Sequence, residues 1–364
     1  MKIEKIASLG QYRKFYRTVY GNDRNFKDNK SALLPLVCGT DSAFYKNSIQ
    51  EMAAVTDRGA TLCQAVFIVH RNSPDVLNIA FFEALPDCNH AVELLFSYGA
   101  GLAEKYGCRK LLAGMDGHLN YALGFSADAA SAPAFGESYN PAYYHDYFRD
   151  FTPISLCSFT GELSYTKGRI DEDYERFRET LKDYRVEAAK INPESMKRYT
   201  DLSNAIFADH PCYFKREYEE DLELFRPMSI LLRKSNLLFI KEGALDIGYI
   251  LWYPDYNEFV RPGKSFGLPE FASCILKGGP KSVKVVEIGL LKGYQNSGII
   301  MLAFQVALDA AYRHFPAAEK LYSSWIESGN TRSVNLTKRY TQRGYKTFYV
   351  YEKSLFGTTA PVAE

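Results

Sequence analysis

The chain has 364 residues, about two domains at the usual ~100–200 residues each, which excludes a single small domain. Lys and Arg number 44 against 43 Asp and Glu, and the resulting charge of +1 gives no global field to attract DNA, RNA or an anionic membrane. A hydrophobic share of 46%, with 27 Tyr and 24 Phe, provides large aromatic surfaces to bury and excludes disorder by composition.

Taken in chain order, the first half opens with a helix over 11–20, whose apolar and aromatic residues at 12, 15, 16 and 19 keep helical spacing, and a shorter helix over 27–37. Three strand-like runs follow at 50–56, 61–70 and 76–85, separated by turns at 57–59 and 72–75, and read as a meander of neighbouring strands. A long helix over 89–106 stops at Gly107, and 109–115 is the next strand. The segment SYNPAYYHDYF, 138–148, carries five aromatics and reads as packing material rather than as a ligand surface.

The second half repeats this plan with different side chains. A strand over 185–191 leads into a helix over 193–207, with Pro193 in the first turn where its missing N–H had no partner to lose, and a helix over 216–225 ends before Pro227. Strands at 237–241 and 246–253 are followed by an irregular Gly- and Pro-rich stretch, 254–280. Then come strand 283–290, helix 297–314, strand 320–325, helix 331–340 and strand 345–352. Alternating strands and helices with right-handed crossovers define an α/β class with mixed, α+β-type sheets. The repeated order points to two related domains, 1–160 and 161–353, with 354–364 as a loose tail and the strand 154–161 fitting either side of the cut.

Seven cysteines stand singly with no C-x-x-C pair, which reads as reduced thiols in a cytoplasm. The opening MKIEKIASLGQYRKF has charges where a secretory signal needs its apolar run, so export by that route is not expected. The most apolar helical stretch, 298–312, carries Gln305 and Asp309 and is shorter than the ~20 residues of a membrane span. None of the six histidines is paired at i, i+4, so no metal is expected.

The chemistry concentrates in VKVVEIGLLKGYQNSGIIMLAFQ, 283–305, where a β-branched strand runs through GYQNSG straight into an apolar helix whose first turn has no acidic residue. The first N–H groups of such a helix lack intrahelical partners and sit at the positive end of its dipole, so the loop is an anion site by construction. Gln295 adds a side-chain donor, and Gly298 lets a phosphate approach the backbone. The same features also describe an ordinary strand-to-helix turn.

Gln295-Asn296-Ser297-Gly298-Ile299-Ile300 resembles the Q/R-x-x-G-x-G/A acyl-CoA signature of the GCN5-related N-acetyltransferase (GNAT) superfamily, with Ile288 and Leu290 in the preceding strand and Tyr294 just ahead of the Gln. It departs at Ile300, where the family has a small residue and where a bulky side chain is expected to crowd the pyrophosphate or the helix–strand contact. LYSSWIE, 321–327, then Asn330, Leu336 and YKTFYVYEK look like the fifth strand, fourth helix and final strand of that superfamily, and DGHLNYALGF (116–125) with SYNPAYYHDYF resembles segments of its tandem members. The first half, reading PDCNHAVELL after its strand, has Asp87 where a phosphate would sit and is not expected to bind CoA.

The resemblance implies two tandem GNAT-like acyl-CoA N-acyltransferase domains and a cytoplasmic enzyme that moves an acetyl group from acetyl-CoA to the amine of a small molecule or peptide by direct attack, in a groove near the domain junction. Ile288, Gly289, Leu290, Gln295, Asn296, Ser297, Gly298, Ile299, Ile300 and Asn330 would hold the cofactor, with a backbone N–H near Ile288–Leu290 on the thioester carbonyl. Gly289 fits either close ligand approach or simple packing, and Asn330 is equally a helix N-cap. Glu287, a lone carboxylate mid-strand, is the first candidate for the base, ahead of Glu327 and Asp255. Tyr340, four residues before Gly344, occupies the position of the acid that protonates the CoA thiolate, or else packs as a core aromatic. A non-catalytic module binding acyl-CoA or a protein, and a transferase using aminoacyl-tRNA, are the other readings open at this point. Neither DNA nor a membrane is expected as a partner.

Overall fold

The computed structural model describes residues 1–295 and 297–355; Asn296 and 356–364, most of the expected tail, lie outside the described residues. The chain divides into two compact units, Met1–Ser155 with the chain from Phe348 onward, and Leu156–Thr347. The expected cut at 160 therefore moves a few residues earlier, and the last strand's second half joins the first unit because it hydrogen-bonds there.

The first unit contains β1 (Lys2–Lys5), α1 (Leu9–Tyr20), α2 (Asn29–Cys38), α3 (Ala43–Lys46), β2 (Ser48–Asp57), β3 (Ala60–His70), β4 (Ser73–Ala84), α4 (Asn89–Tyr106), β5 (Lys110–Ala113), β6 (Phe125–Ser126) and α5 (Tyr144–Tyr147). After β7 (Thr152–Glu162), which crosses the cut, come α6 (Leu163–Phe177), β8 (Tyr184–Ala189), α7 (Pro193–Ile206), α8 (Tyr218–Phe225), β9 (Leu237–Glu242), β10 (Leu245–Pro254), α9 (Leu268–Leu276), β11 (Ser282–Leu290), α10 (Ile300–His314), β12 (Lys320–Ser323), β13 (Ile326–Glu327), α11 (Thr331–Tyr340) and β14 (Arg343–Ser354).

Local chemistry accounts for these elements. The Ser8 side chain caps α1 by accepting the Gln11 N–H, and Tyr12, Phe15, Tyr16 and Tyr20 form its buried stripe. Asn192 and Ser195 close a capping box at α7 with Pro193 at its first position, as the sequence indicates. Besides the short α3 and α5, two longer helices depart from the sequence reading. In α6 the buried Leu163 and Ile170 recur at helical spacing among charged residues that pair along the surface, Lys167 with Asp171 and Arg169 with Glu172, and α9 forms inside the stretch read as irregular.

Both units follow one plan. In the first, β1 to β4 run antiparallel, α4 carries the chain over to β5 parallel to β4, and Tyr351–Ser354 of β14 pairs antiparallel with β5. In the second, β8 to β11 run antiparallel, α10 carries the chain over to β12 parallel to β11, and β7 pairs antiparallel with β12. Each crossover helix buries one face on its sheet: Val92, Leu95 and Leu102 of α4 join Phe67, Ile79 and Leu111, while Met301, Ala307 and Leu308 of α10 join Ile240, Ile250 and Val283 together with Leu163 and Ile170 of α6. Burial of a side chain such as Leu or Phe stabilises by ~1.5–3 kcal/mol, so these faces fix the helix positions. Among the described residues, no helix is long and apolar enough to cross a membrane.

Candidate active site

In the second unit the parallel pairing of β11 and β12 stops at Val285 with Ser323, yet β11 runs on to Leu290. A one-residue shift between Leu251 and Trp252 leaves Val286 as a bulge at the point of parting, and the strand changes there from fully buried to half-buried. The backbone direction beyond the bulge follows from its neighbours. The Leu291 N–H donates to Ile247 O of β10 at 2.9 Å, and Gly289 O points at Gly248 of the same strand. Alternation then turns the amide groups of Ile288 and Leu290 away from β10, into the opening. Leu290 O confirms the sense, because it accepts from Gln295 Nε2 at 3.2 Å on that side.

The loop that follows leads into α10, whose N-cap residue, Ile299, makes no side-chain cap and whose first turn holds no acidic residue. The positive end of its dipole faces the loop, while the Met301 and Leu302 N–H groups bond back to Gly298 O at 3.0 Å and Ile299 O at 3.1 Å and the Ile299 N–H donates to Ser297 Oγ at 3.4 Å. Gly298 has φ +76°, and a Cβ there would meet the Phe177 ring at 3.1 Å, so both conformation and space require glycine. Ile300 is half-buried and packs against the core shared by α6 and α10, which answers the expectation of crowding: its bulk is taken up on the core side and its amide heads the helix. Gln295 is held at both ends, donating to Leu290 O and accepting from Arg332 Nη1 at 2.9 Å. Arg332, on the first turn of α11, thus brings a guanidinium to the loop, a residue the sequence reading did not single out. Asn330 caps α11, its side chain accepting the Ser333 N–H at 3.1 Å.

The other face of β11 turns toward α7. A Cβ on Gly289 would lie 2.5 Å from Ile206 and 3.4 Å from Phe207, so the glycine gives close packing of the helix end over the strand. Glu287 accepts from the Tyr199 hydroxyl and from Arg216 Nη2 at 3.2 Å. Arg216, fully buried, also faces Asp221 at 3.5 Å, and Thr200 donates to Asp221 at 2.6 Å. Burial first, with the Glu287 charge added against the opposing Arg216, keeps Tyr199 a protonated phenol. Glu287 is accordingly a paired carboxylate beside the parting of the strands, not a lone one.

His210, in the turn after α7, sits with its ring 6.0 Å from that of Trp325, beyond β12, and its Nδ1 accepts the Cys212 N–H at 3.3 Å. Burial lowers its pKa, against the charge of Glu327, so the imidazole is neutral. Nearby, Lys292 pairs with Asp209 at 2.5 Å. The α7–α8 turn, β11 and the β12–β13 segment thereby line one opening.

Two expected residues stand elsewhere. Asp255 lies past the end of β10, its N–H bonded to Ser282 O at the start of β11, the end opposite the opening, so it is too remote to serve as a base there. Tyr340 donates to Asp173 Oδ2 of α6 at 2.6 Å, while Arg339 holds the other oxygen at 2.6 Å. Burial and then the Asp173 bond raise the Tyr340 pKa. In place of an acid directed at the cleft, the phenol is a buried donor already committed to a carboxylate.

The first unit contains the same parting of strands, but filled. Pairing of β4 with β5 ends at Ile79 with Ala113, and a bulge follows at Phe81, held at φ +49°. The Phe81 N–H donates to Asp116 at 2.6 Å and its carbonyl accepts the Tyr12 hydroxyl at 2.6 Å. The Ala84 N–H donates to the Tyr144 hydroxyl at 3.0 Å, Ala84 O accepts from Tyr143 at 2.8 Å, and Leu85 O accepts from Tyr147. The aromatics of SYNPAYYHDYF therefore occupy the strand edge that the second unit leaves open.

No protein-family model and no curated protein sequence matches the chain. Solved structures do, at the level of the fold. A GCN5-related glucosamine N-acetyltransferase region of a fungal multi-domain GH3 β-N-acetylglucosaminidase superposes with a TM-score of 0.59 at 11% identity over 97% of this chain, which spans 38% of that one. A tandem GNAT protein from the clavulanic acid biosynthesis pathway gives 0.55 at 9% identity over 98% of both chains, and a probable N-acyltransferase of unknown function from Enterococcus faecalis V583 gives 0.54 at 10% identity over 97% of this chain and 72% of that one. The fold is thus that of the acyl-CoA N-acyltransferases of the GNAT type. More particularly, it is the tandem GNAT fold.

Proposed function

We propose that the second unit binds acetyl-CoA and directs transfer of its acetyl group to the amine of a small molecule or peptide. The observation that carries this reading is the strand edge of β11 left open beyond Val285 beside the uncapped α10. Acetyl-CoA, when bound, supplies an acyl group activated as a thioester. The Ile288 N–H donates to a carbonyl oxygen in the opening, a bond that strengthens as charge develops there. Gln295, Ser297, Gly298, Ile299 and Ile300, with Arg332, hold the pyrophosphate, and Asn296 belongs to the same loop. Gly289 keeps the α7 end close, and Asn330 fixes the first turn of α11 that carries Arg332. An alkyl ammonium, with a pKa near ~10.4, has to lose a proton before attack. Glu287, its charge steadied by Arg216, accepts that proton, and His210 with Trp325 flanks the acceptor's path.

Calorimetric titration of acetyl-CoA into the unaltered protein tests the reading, with release of free thiol then followed across polyamines, amino acids, aminoglycosides and peptides. Absence of heat at millimolar acetyl-CoA overturns it. One observation favours the second reading, a non-catalytic acyl-CoA module: Tyr340 is spent on Asp173. Binding without thiol release from any amine selects that module.

A further inference from the structure

Helix α9, in the second unit, carries its apolar stripe outward. Leu268, Ala272, Ile275 and Leu276 recur at i, i+4, i+7 and i+8 and are exposed together, while Glu270 and Cys274 of the same helix are buried. A surface helix ordinarily turns such a stripe to the core. Leu276, Leu268 and Ile230 are 87%, 84% and 81% exposed, the three highest values for large apolar side chains among the described residues.

Ile230 neighbours this helix in space. It ends the turn Pro227–Ile230, and the carbonyl that follows, Leu231 O, accepts from the hydroxyl of the buried Tyr256 at 3.1 Å. The Tyr256 ring lies 5.0 Å from that of Phe266, two residues before α9, and both Cys274 of α9 and Arg233 act electrostatically on its hydroxyl. The exposed charges of 226–236 and 261–281 are all basic and include Arg233, Lys234, Arg261, Lys264, Lys277 and Lys281. The one acid within these segments, Glu270, is buried, and Glu258 just outside them accepts the Lys281 N–H at 2.9 Å.

These charges decide what covers the stripe. A second copy across a two-fold axis would set the cations against their own kind, so the occupant is anionic. Protein interfaces are enriched in Tyr, Trp and Arg and depleted in Lys, whereas exposed Leu and Ile among lysines match the boundary between acyl chains and headgroups.

We propose that α9 and the turn before Leu231 dock the second unit on an anionic lipid surface, Leu268, Ile275, Leu276 and Ile230 entering the acyl boundary while the basic side chains meet headgroup phosphates. The nine residues of α9 lie along the surface and do not cross it. The chain-wide charge of +1 conceals the patch because it averages over acids that stand elsewhere. Nothing in this proposal depends on acyl-CoA binding.

The test is co-sedimentation of the full chain with vesicles of phosphatidylcholine and phosphatidylserine in equal parts, against vesicles of phosphatidylcholine alone. The expected result is binding to the mixed vesicles, weaker by at least about tenfold on phosphatidylcholine and at about 0.5 M salt. The double variants Leu268→Ser with Leu276→Ser, and Lys264→Glu with Lys277→Glu, alter exposed side chains only, so the fold is kept and binding should fall at least about tenfold in each. Ile49→Ser, at an exposed apolar residue of the first unit, should bind as the unaltered protein does. No binding to the mixed vesicles, equal binding to phosphatidylcholine, full binding by either double variant, or an equal loss in Ile49→Ser overturns the proposal. A dimer in sedimentation velocity that the two leucine substitutions dissolve assigns the stripe to a second copy and overturns it, as does leucine-dependent binding of polyglutamate, which assigns it to an acidic protein.

Discussion

Tyr340 and Asp173 form a buried donor–acceptor pair that Arg339 completes, and the pair ties the end of α11 to α6. Removing the hydroxyl leaves Asp173 with its arginine, so Tyr340→Phe is expected to lower stability by about 1–2 kcal/mol in denaturant unfolding. Thiol release should stay within about twofold, because the hydroxyl faces α6. A fall of roughly 10²-fold with unchanged acetyl-CoA affinity would instead restore the acid role. Glu287→Gln is expected to lower turnover by roughly 10²-fold with little change in acetyl-CoA binding, measured by thiol release and calorimetry. His210 carries a pH effect whose sign is fixed by burial. Its folded pKa lies below the unfolded ~6.5, so its contribution is complete above that value and is lost as pH falls toward and through the folded pKa. The melting temperature of His210→Asn should therefore fall less between pH 7.5 and 5.5 than that of the unaltered protein. Residue-scale legibility divides along the same line. Gln295 and Gly298 could be read because their function is local to one loop, whereas Arg332, Arg216 and His210 acquire meaning from partners remote in sequence.

At the scale of elements, the informative unit is strand, loop and helix together. Both crossover helices show in the sequence as long apolar patterns ending at defined points, since each buries one face on a sheet. Helix α6 does not, because Gly168 and charged residues interrupt the stripe that Leu163 and Ile170 present to α10. The parting of β11 from β12 does not show in the periodicity and is reached only through the family resemblance, since pairing partners and bulges depend on register between distant segments. The uncapped α10 gives a prediction in which stability and binding move in opposite directions. Ser297→Glu places a carboxylate before the helix, which favours the dipole and repels a phosphate. Stability should hold or rise by a few tenths of a kcal/mol, read by thermal unfolding, while acetyl-CoA affinity falls by about tenfold or more. Weaker binding accompanied by lower stability would mean that the loop had collapsed, and the anion-site assignment would lose its support.

On the scale of the whole molecule, chain order and spatial membership part company at the C-terminus. Phe348, Val350 and Tyr351 are buried in the first unit, where Tyr351 stacks on Phe148 at 4.9 Å and its hydroxyl meets His145 Nδ1 at 2.7 Å. Tyr351–Ser354 also supplies the antiparallel partner of β5. Sequence alone gave the closing strand to the second domain, since helical and strand periodicity carry no record of which sheet a strand joins. Each buried side chain of this size contributes ~1.5–3 kcal/mol, and three of them approach the ~5–15 kcal/mol that holds a domain together. A chain ending at Thr347 should therefore lose protection first in residues 1–155, the segment farthest from the deletion in sequence. Hydrogen exchange resolved by peptide reads this directly: β2–β5 and α4 should open while β9–β11 and α10 keep their protection. Protection retained across β4 and β5 would show that β14 is dispensable to the first unit. Opening confined to α11 and β12 would return the strand to the second.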